Sequence, residues 1–237
     1  MGAPGVDVIK WGPERARAGP WRGDGRVAYL TPVADAPVPS AAFVRRCLET
    51  LAARGYRRVV TGALSPSESH GFLAAGFEVS EQLHLLSHDL RAIPAASPSV
   101  PRLRRATTHD DPAVMEVDHL AFPPFWQLDL GGLRDAIAAT PRTRYRVGEQ
   151  DRVIGYAVTG RAGRRGYIQR LAVHPDHRGR GLGAALVIDG LRWLRRWQVD
   201  QAVVNTQLDN GGALALYERL GFCRQPLGLS VLSAGIA

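Results

Sequence analysis

The stretch Tyr167 to Leu186, YIQRLAVHPDHRGRGLGAAL, constrains this chain more than any other. An apolar strand, Ile168 to Val173, runs into a His-Pro turn. Arg178-Gly179-Arg180-Gly181-Leu182-Gly183 follows, and a long helical run begins there. A glycine-rich loop at a helix N-terminus aims several backbone N–H groups at one point. The helix dipole adds partial positive charge, and the arginines add full charges. Glycine lets the backbone approach a ligand closely and adopt φ > 0 where needed. This is chemistry for holding a diphosphate.

The spacing narrows the choice of diphosphate. A nucleotide P-loop needs G-x-x-x-x-G-K-[ST], and no lysine follows these glycines. A dinucleotide fingerprint needs G-x-G-x-x-G. The spacing here is Arg-x-x-Gly-x-Gly, with Arg178, Gly181 and Gly183, after a strand ending Ala-Val-His-Pro. It resembles the coenzyme A pyrophosphate loop of the GNAT superfamily of acyl-CoA-dependent N-acyltransferases. A second motif, Asn210-x-x-Ala213-x-x-x-Tyr217-Glu218-x-x-Gly221-Phe222, resembles the later GNAT segment, where a helix carrying a Tyr ends at Gly-Phe. The resemblance covers about residues 102 to 232. It implies an α/β (α+β) fold with a mixed, mostly antiparallel sheet flanked by helices and splayed open where acyl-CoA lies.

Composition excludes other classes. A chain of 237 residues with 45% hydrophobic residues buries a sizeable core. No apolar run approaches a membrane span. The start, MGAPGVDVIKW, lacks the basic and apolar regions of a secretory signal, so the expectation is cytoplasmic. Cys47 and Cys223 have no metal spacing, and both are expected to be buried thiols. The net charge of +8 is almost all arginine, Lys10 being the sole lysine. The arginines are scattered, without a recognition helix or zinc-finger spacing, which argues against nucleic-acid binding as the main role.

Along the chain, Val6 to Ile9 reads as a short strand, Arg26 to Thr31 as a strand, and Ala41 to Arg54 as a helix capped by Ser40. Arg57 to Gly62 is a strand, Ser65 to Ala75 a helix, and Phe77 to Leu86 a strand. This order repeats after Tyr167. Phe72-x-x-x-Gly76-Phe77 parallels Tyr217-x-x-x-Gly221-Phe222, 145 residues later. The sequence thus predicts a degenerate GNAT-like half over 1–90, a Pro/Ala/Ser linker over 91–101, and an acetyl-CoA-binding GNAT domain over 102–237. The first half has lost the chemistry. TPVADAPVPS stands where the second has HPDHRGRGLG, and Phe72 stands where the second has Tyr217. Its expected role is structural or substrate-shaping.

The resemblance assigns site residues. Arg178, Gly179, Arg180, Gly181, Leu182 and Gly183 would hold the pyrophosphate, mainly through backbone N–H groups. The backbone of Leu171, Ala172 and Val173 would pair with the pantetheine arm, with the Leu171 N–H on the thioester carbonyl. Asn210 would contact the coenzyme arm, serve as a helix N-cap, or both. Tyr217 would protonate the departing thiolate. Phe122, Phe125 and Trp126, in the loop FPPFWQL, lie where GNAT proteins build the acceptor wall; a hydrophobic plug between helices is the competing reading. Many GNAT enzymes place a base Glu at the position of Tyr167, yet the strand Gly166 to Val173 holds no carboxylate. A base could act through water, or come from Glu116, Asp118 or His119 on the first helix of this domain; His174 and His177 flank the loop and would orient it or contact phosphate.

These residues imply an N-acetyltransferase moving an acetyl group from acetyl-CoA to a primary amine, protein or small molecule, by direct attack and without a metal. The chain would act as a monomer or homodimer. A mycothiol-synthase-like enzyme ranks below that reading. A non-catalytic acyl-CoA-binding regulatory module is the rival from another class, motivated by the intact loop beside the missing glutamate.

Overall fold

The computed structural model describes residues 7–33, 35–97 and 100–236. Val6 of the first expected strand, Ala34, and Pro98 and Ser99 of the expected linker lie outside the described residues. In chain order the elements are β1 (Asp7–Trp11), β2 (Glu14–Trp21), β3 (Asp24–Pro32), α1 (Ala41–Ala53), β4 (Arg58–Thr61), α2 (Pro66–Ala74) and β5 (Glu78–His88). There follow β6 (Arg102–Arg105), α3 (Asp111–Ala121), α4 (Leu130–Ala138), β7 (Arg142–Glu149), β8 (Val153–Ala162) and β9 (Arg165–Val173). The chain ends with α5 (Leu182–Arg196), β10 (Gln201–Gln207), α6 (Gly211–Arg219), β11 (Cys223–Arg224) and β12 (Leu229–Gly235).

The contacts divide the chain into two compact units. The first holds the residues up to Leu85 together with 205–209 and 225–237; the second holds 86–204 and 210–224. In the first unit the strands run β1-β2-β3-β4-β12-β5, antiparallel except for the parallel β3–β4 pair. The last strand of the chain therefore lies between β4 and β5, where Val231 and Leu232 are buried. Phe43, Val44, Cys47 and Leu51 on one face of α1 pack with Leu30, Val59, Phe72 and Leu232. Ser40 caps α1, its hydroxyl accepting from the Phe43 N–H at 3.2 Å.

The sequence reading missed β2. Its inward residues are Ala16 and Ala18, both fully buried, alternating with arginines. Alanine is depleted in strands, so the period-2 pattern carries little apolar signal.

In the second unit the strands run β10-β9-β8-β7-β6, antiparallel except for β9–β10. Val153 to Gly160 of β8 are buried without interruption, as expected of a central strand covered on both faces. One face carries α5, whose Val187, Ile188, Leu191 and Leu194 pack with Ile168, Val204, Tyr217 and Phe222. The other carries α3 and α4, with Val114, Val117 and Leu133 against Val147, Tyr156, Val158 and Ala172. Each such aliphatic side chain contributes about 1.5–3 kcal/mol on burial. The mixed, mostly antiparallel sheet flanked by helices matches the expected fold class.

The two halves repeat in detail. Ser65 caps α2 and Asn210 caps α6, each accepting from the N–H three residues on. Gly76 and Gly221 follow these helices at φ +96° and +91°. One expectation fails: Cys47 is buried but Cys223 is exposed. Phe222 points into the core, and strand alternation turns the next side chain outward.

Candidate active site

The two parallel strand pairs differ. β3 and β4 stay in register over four pairs, Val27–Arg58 to Leu30–Thr61, and the Gly62 N–H then donates to Thr31 Oγ1 at 3.3 Å. β9 and β10 keep only three pairs, Arg165–Gln201 to Tyr167–Val203. The register ends there, six residues before β9 does. A bulge falls at the same place: Thr159 pairs with Ile168 but Val158 pairs with Arg170, so Gln169 is the extra residue. The bulge bends β9 and leaves Ile168 to Val173 without β10 partners. That edge holds Leu171, Ala172 and Val173, the residues expected to meet a pantetheine arm.

The loop after β9 is shaped as a cradle. Gly179 has φ +74° and Gly181 has φ +83°, a region that L side chains rarely adopt. Gly181 is the N-cap of α5, and the first helical bond runs from the Ala185 N–H to the Gly181 carbonyl at 3.0 Å. The N–H groups of Leu182, Gly183 and Ala184 precede that bond and have no helical acceptor. The Leu182 side chain is buried with Ile154, Ala157 and Leu186, which seats the first turn. Arg178 is exposed, but its guanidinium is engaged by the protein itself. Its Nη2 donates to the Ala121 carbonyl at 3.1 Å and its Nε to the Val173 carbonyl at 3.4 Å, tying the loop to α3 and to the end of β9. Arg180 is exposed and, with His177, Gln150, Val100, Pro101, Ile154 and Leu182, lines a cavity of about 320 Å³. Leu171, Asn210 and Tyr217 do not line that cavity.

Tyr217 stands on α6, buried against Phe222 with ring centroids 5.5 Å apart. Burial raises its phenol pKa above the ordinary value of 10, so it keeps its proton at neutral pH. No hydrogen bond of its hydroxyl occurs among the described residues. Asn210 is an N-cap: its Oδ1 accepts from the Ala213 N–H at 3.1 Å. Among the described residues no group of three or more His, Cys, Asp and Glu side chains could hold a metal ion. No helix among them is long and apolar enough to cross a membrane.

Comparison with known proteins bears on the family. Residues 112–222 match the acetyltransferase (GNAT) family. A mycothiol acetyltransferase of Saccharomonospora viridis is 30% identical over 239 residues, covering 84% of this chain and 78% of that protein. The chain belongs to the GNAT acetyltransferase family. An N-alpha-acetyltransferase 30 of Schizosaccharomyces pombe is 40% identical over 60 residues, which is 25% of this chain and 40% of that one. A tandem GNAT protein from the clavulanic acid biosynthesis pathway superimposes with a TM-score of 0.70 at 18% identity, covering 98% of this chain and 83% of the other. That likeness concerns the fold alone.

The three acidic or imidazole candidates on α3 are differently placed in this acetyltransferase. Asp118 is fully buried and accepts from the Tyr156 hydroxyl at 2.5 Å, the Leu128 N–H at 2.8 Å and Arg170 at 2.8 and 2.9 Å. A carboxylate so saturated is structural. His119 Nε2 donates to the Leu128 carbonyl at 2.8 Å, which commits that nitrogen. Glu116 is exposed, 3.8 Å from Arg152. The sequence reading did not single out Arg170, the partner of Asp118. A charge directly before the apolar Leu171 to Val173 was the available signal, since a charge that is buried needs a partner.

Proposed function

We propose that the β9 edge, the 178–183 loop and α6 form one site that transfers an acetyl group from acetyl-CoA to a primary amine of low pKa. The pyrophosphate would rest on the loop amides with Arg180 assisting, and Arg178 holds the loop in shape. The Leu171 N–H would polarise the thioester carbonyl, with Ala172, Val173 and Asn210 along the pantetheine arm. Phe122, Phe125 and Trp126 would wall the acceptor. The neutral amine nitrogen attacks the carbonyl carbon, and the carbon–sulfur bond breaks as Tyr217 gives its proton to the departing sulfur; the proton that the new amide nitrogen sheds passes to water, and Tyr217 takes one back from there.

The observation that carries this reading is the pairing of an unpaired β9 edge with a buried, protonated Tyr217. β9 bears no carboxylate, so no side chain there would deprotonate an ammonium. An α-amino group, with a pKa of about 7.7–8.0, is partly neutral near pH 7; a lysine side chain, at about 10.4, is not. This favours a protein N-terminus or an amino group beside electron-withdrawing substituents. A mycothiol-type acceptor is the second reading, favoured by a match that spans most of both chains. The first unit would be a degenerate copy that binds no coenzyme. Here Gly71 of α2 packs so closely on the Pro39 carbonyl that a Cβ would lie 1.9 Å from its oxygen, which closes α2 against the segment entering α1.

Calorimetric titration with acetyl-CoA tests the site, followed by thiol release with N-terminal peptides, amino sugars and lysine side-chain amines. Micromolar binding and release with the first two supports the proposal. Tight binding without release to any amine would favour a regulatory module, and no binding would remove the site.

A further inference from the structure

Arg170 lies on β9 immediately before Leu171. Leu171 packs with the α5 side of the sheet, whereas the Arg170 guanidinium reaches α3. There its Nε and Nη2 donate to the two oxygens of Asp118. Nη2 also donates to the Trp126 carbonyl at 2.7 Å, and Cζ lies 3.6 Å from the centroid of the Phe122 ring. Asp118 in turn accepts the Leu128 N–H, and Tyr156 on β8 donates its hydroxyl to the same carboxylate. Phe122, Trp126 and Leu128 are the start, middle and end of the aromatic loop. All three are tied to one ion pair.

A buried ion pair needs only its own two partners and enough donors to offset desolvation. This one directs its spare donor and its flat face at the loop. A guanidinium is suited to that, because its planar fork serves two acceptors while its face stacks on an aromatic ring. The loop has little regular structure of its own beyond a short 3-10 turn at Pro124–Trp126. His119 and Gln127 tie the loop to the end of α3, and Arg170 ties it to β9, the strand that carries Leu171.

We propose that Arg170 is a positioning residue for the amine acceptor: with Asp118 and Tyr156 it fixes the Phe122–Leu128 wall relative to the β9 strand that would hold the acyl group. The inference rests on the acetyl-transfer reading of this site and deepens it. Arg170 touches neither the acyl group nor the amine; it acts through the wall.

The full chain is compared with Arg170→Lys and Tyr156→Phe. Lysine keeps the charge but not the fork. Tyr156→Phe removes one hydroxyl and serves if the lysine variant does not fold. Hydrogen exchange of the 122–128 amides should accelerate roughly tenfold or more in Arg170→Lys and less in Tyr156→Phe, while β7–β8 amides stay protected. Acetyl-CoA affinity should stay within about twofold. Thiol release is measured with glycinamide and with phenylalaninamide. KM for the bulky amine should rise roughly tenfold, several times more than for glycinamide, with kcat little changed. Loop exchange equal to wild type, or an equal loss of kcat for both amines, overturns the inference. Wild-type protein that does not bind acetyl-CoA sinks the acetyl-transfer reading instead. If neither amine is turned over, the exchange measurement alone decides whether Arg170 holds the wall.

Discussion

Phe72 on α2 and Tyr217 on α6 occupy the same position in two copies of one helix. Each lies seven residues after its cap, Ser65 or Asn210, and each packs on the phenylalanine of the following Gly-Phe, Phe77 at 5.2 Å and Phe222 at 5.5 Å. Both rings are buried. The packing problem is therefore solved equally well by either ring, and the hydroxyl is what the second copy adds.

Tyr217→Phe should accordingly fold and bind acetyl-CoA like wild type, because Phe72 already fills the equivalent place in the first copy. Turnover should fall about 10²-fold or more if the hydroxyl protonates the departing sulfur. Steady-state kinetics beside calorimetry separates the two effects. Unchanged kcat would leave Tyr217 as a core residue only.

Gly181→Glu should abolish coenzyme binding. The position needs φ +83°, a Cβ there would lie 3.2 Å from Val100, and the new carboxylate would face a pyrophosphate. Wild type should bind one acetyl-CoA per chain, because β3 and β4 stay paired where β9 and β10 part. Two equivalent sites in the titration would mean that the first unit binds coenzyme as well.

Much of this was legible in the sequence, and the failures have physical causes. The end of β9 at Val173, the glycine loop before α5 and the caps Ser40 and Asn210 follow from an apolar run, glycine spacing and cap residues. All are local signals. The location of β12 between β4 and β5 is a long-range pairing, and nothing in Leu229 to Gly235 names its partners. The Asp118–Arg170 pair joins residues far apart in sequence; α3 alone presented Asp118 as a possible base, and only its partners mark it as structural. The early end of the β9–β10 register comes from a bulge at Gln169, for which polar Gln in a strand is no distinctive signal.

The cysteines should react very differently. Burial pushes the Cys47 thiol up to about 12, with Glu14 adding to the shift, whereas Cys223 is exposed. A thiol-reactive dye near neutral pH should label one cysteine in native protein and two in denaturant. Peptide mapping should place the native label on Cys223. Rapid native labelling of Cys47 would mean that α1 opens readily from the first unit's core.

His88 should make the second unit sensitive to mild acid. Its ring is buried at the end of α6: Nδ1 accepts from the Leu90 N–H at 2.8 Å, and Nε2 therefore carries the proton and donates to the Leu220 carbonyl at 3.0 Å. Burial lowers its pKa below 6.5, against the smaller raising effects of that carbonyl and of Asp89. Between the lowered value and 6.5 the unfolded chain holds a proton that the folded chain lacks, so the His88 contribution is complete above about pH 6.5 and declines as pH falls through that window. Protonation would also place an N–H where Nδ1 now accepts, breaking the bond from Leu90. Thermal unfolding followed from about pH 8 to about pH 5 should show wild type losing stability faster than His88→Gln, which cannot titrate there. Parallel curves for the two proteins would show that His88 charges as easily in the folded chain as in the unfolded one.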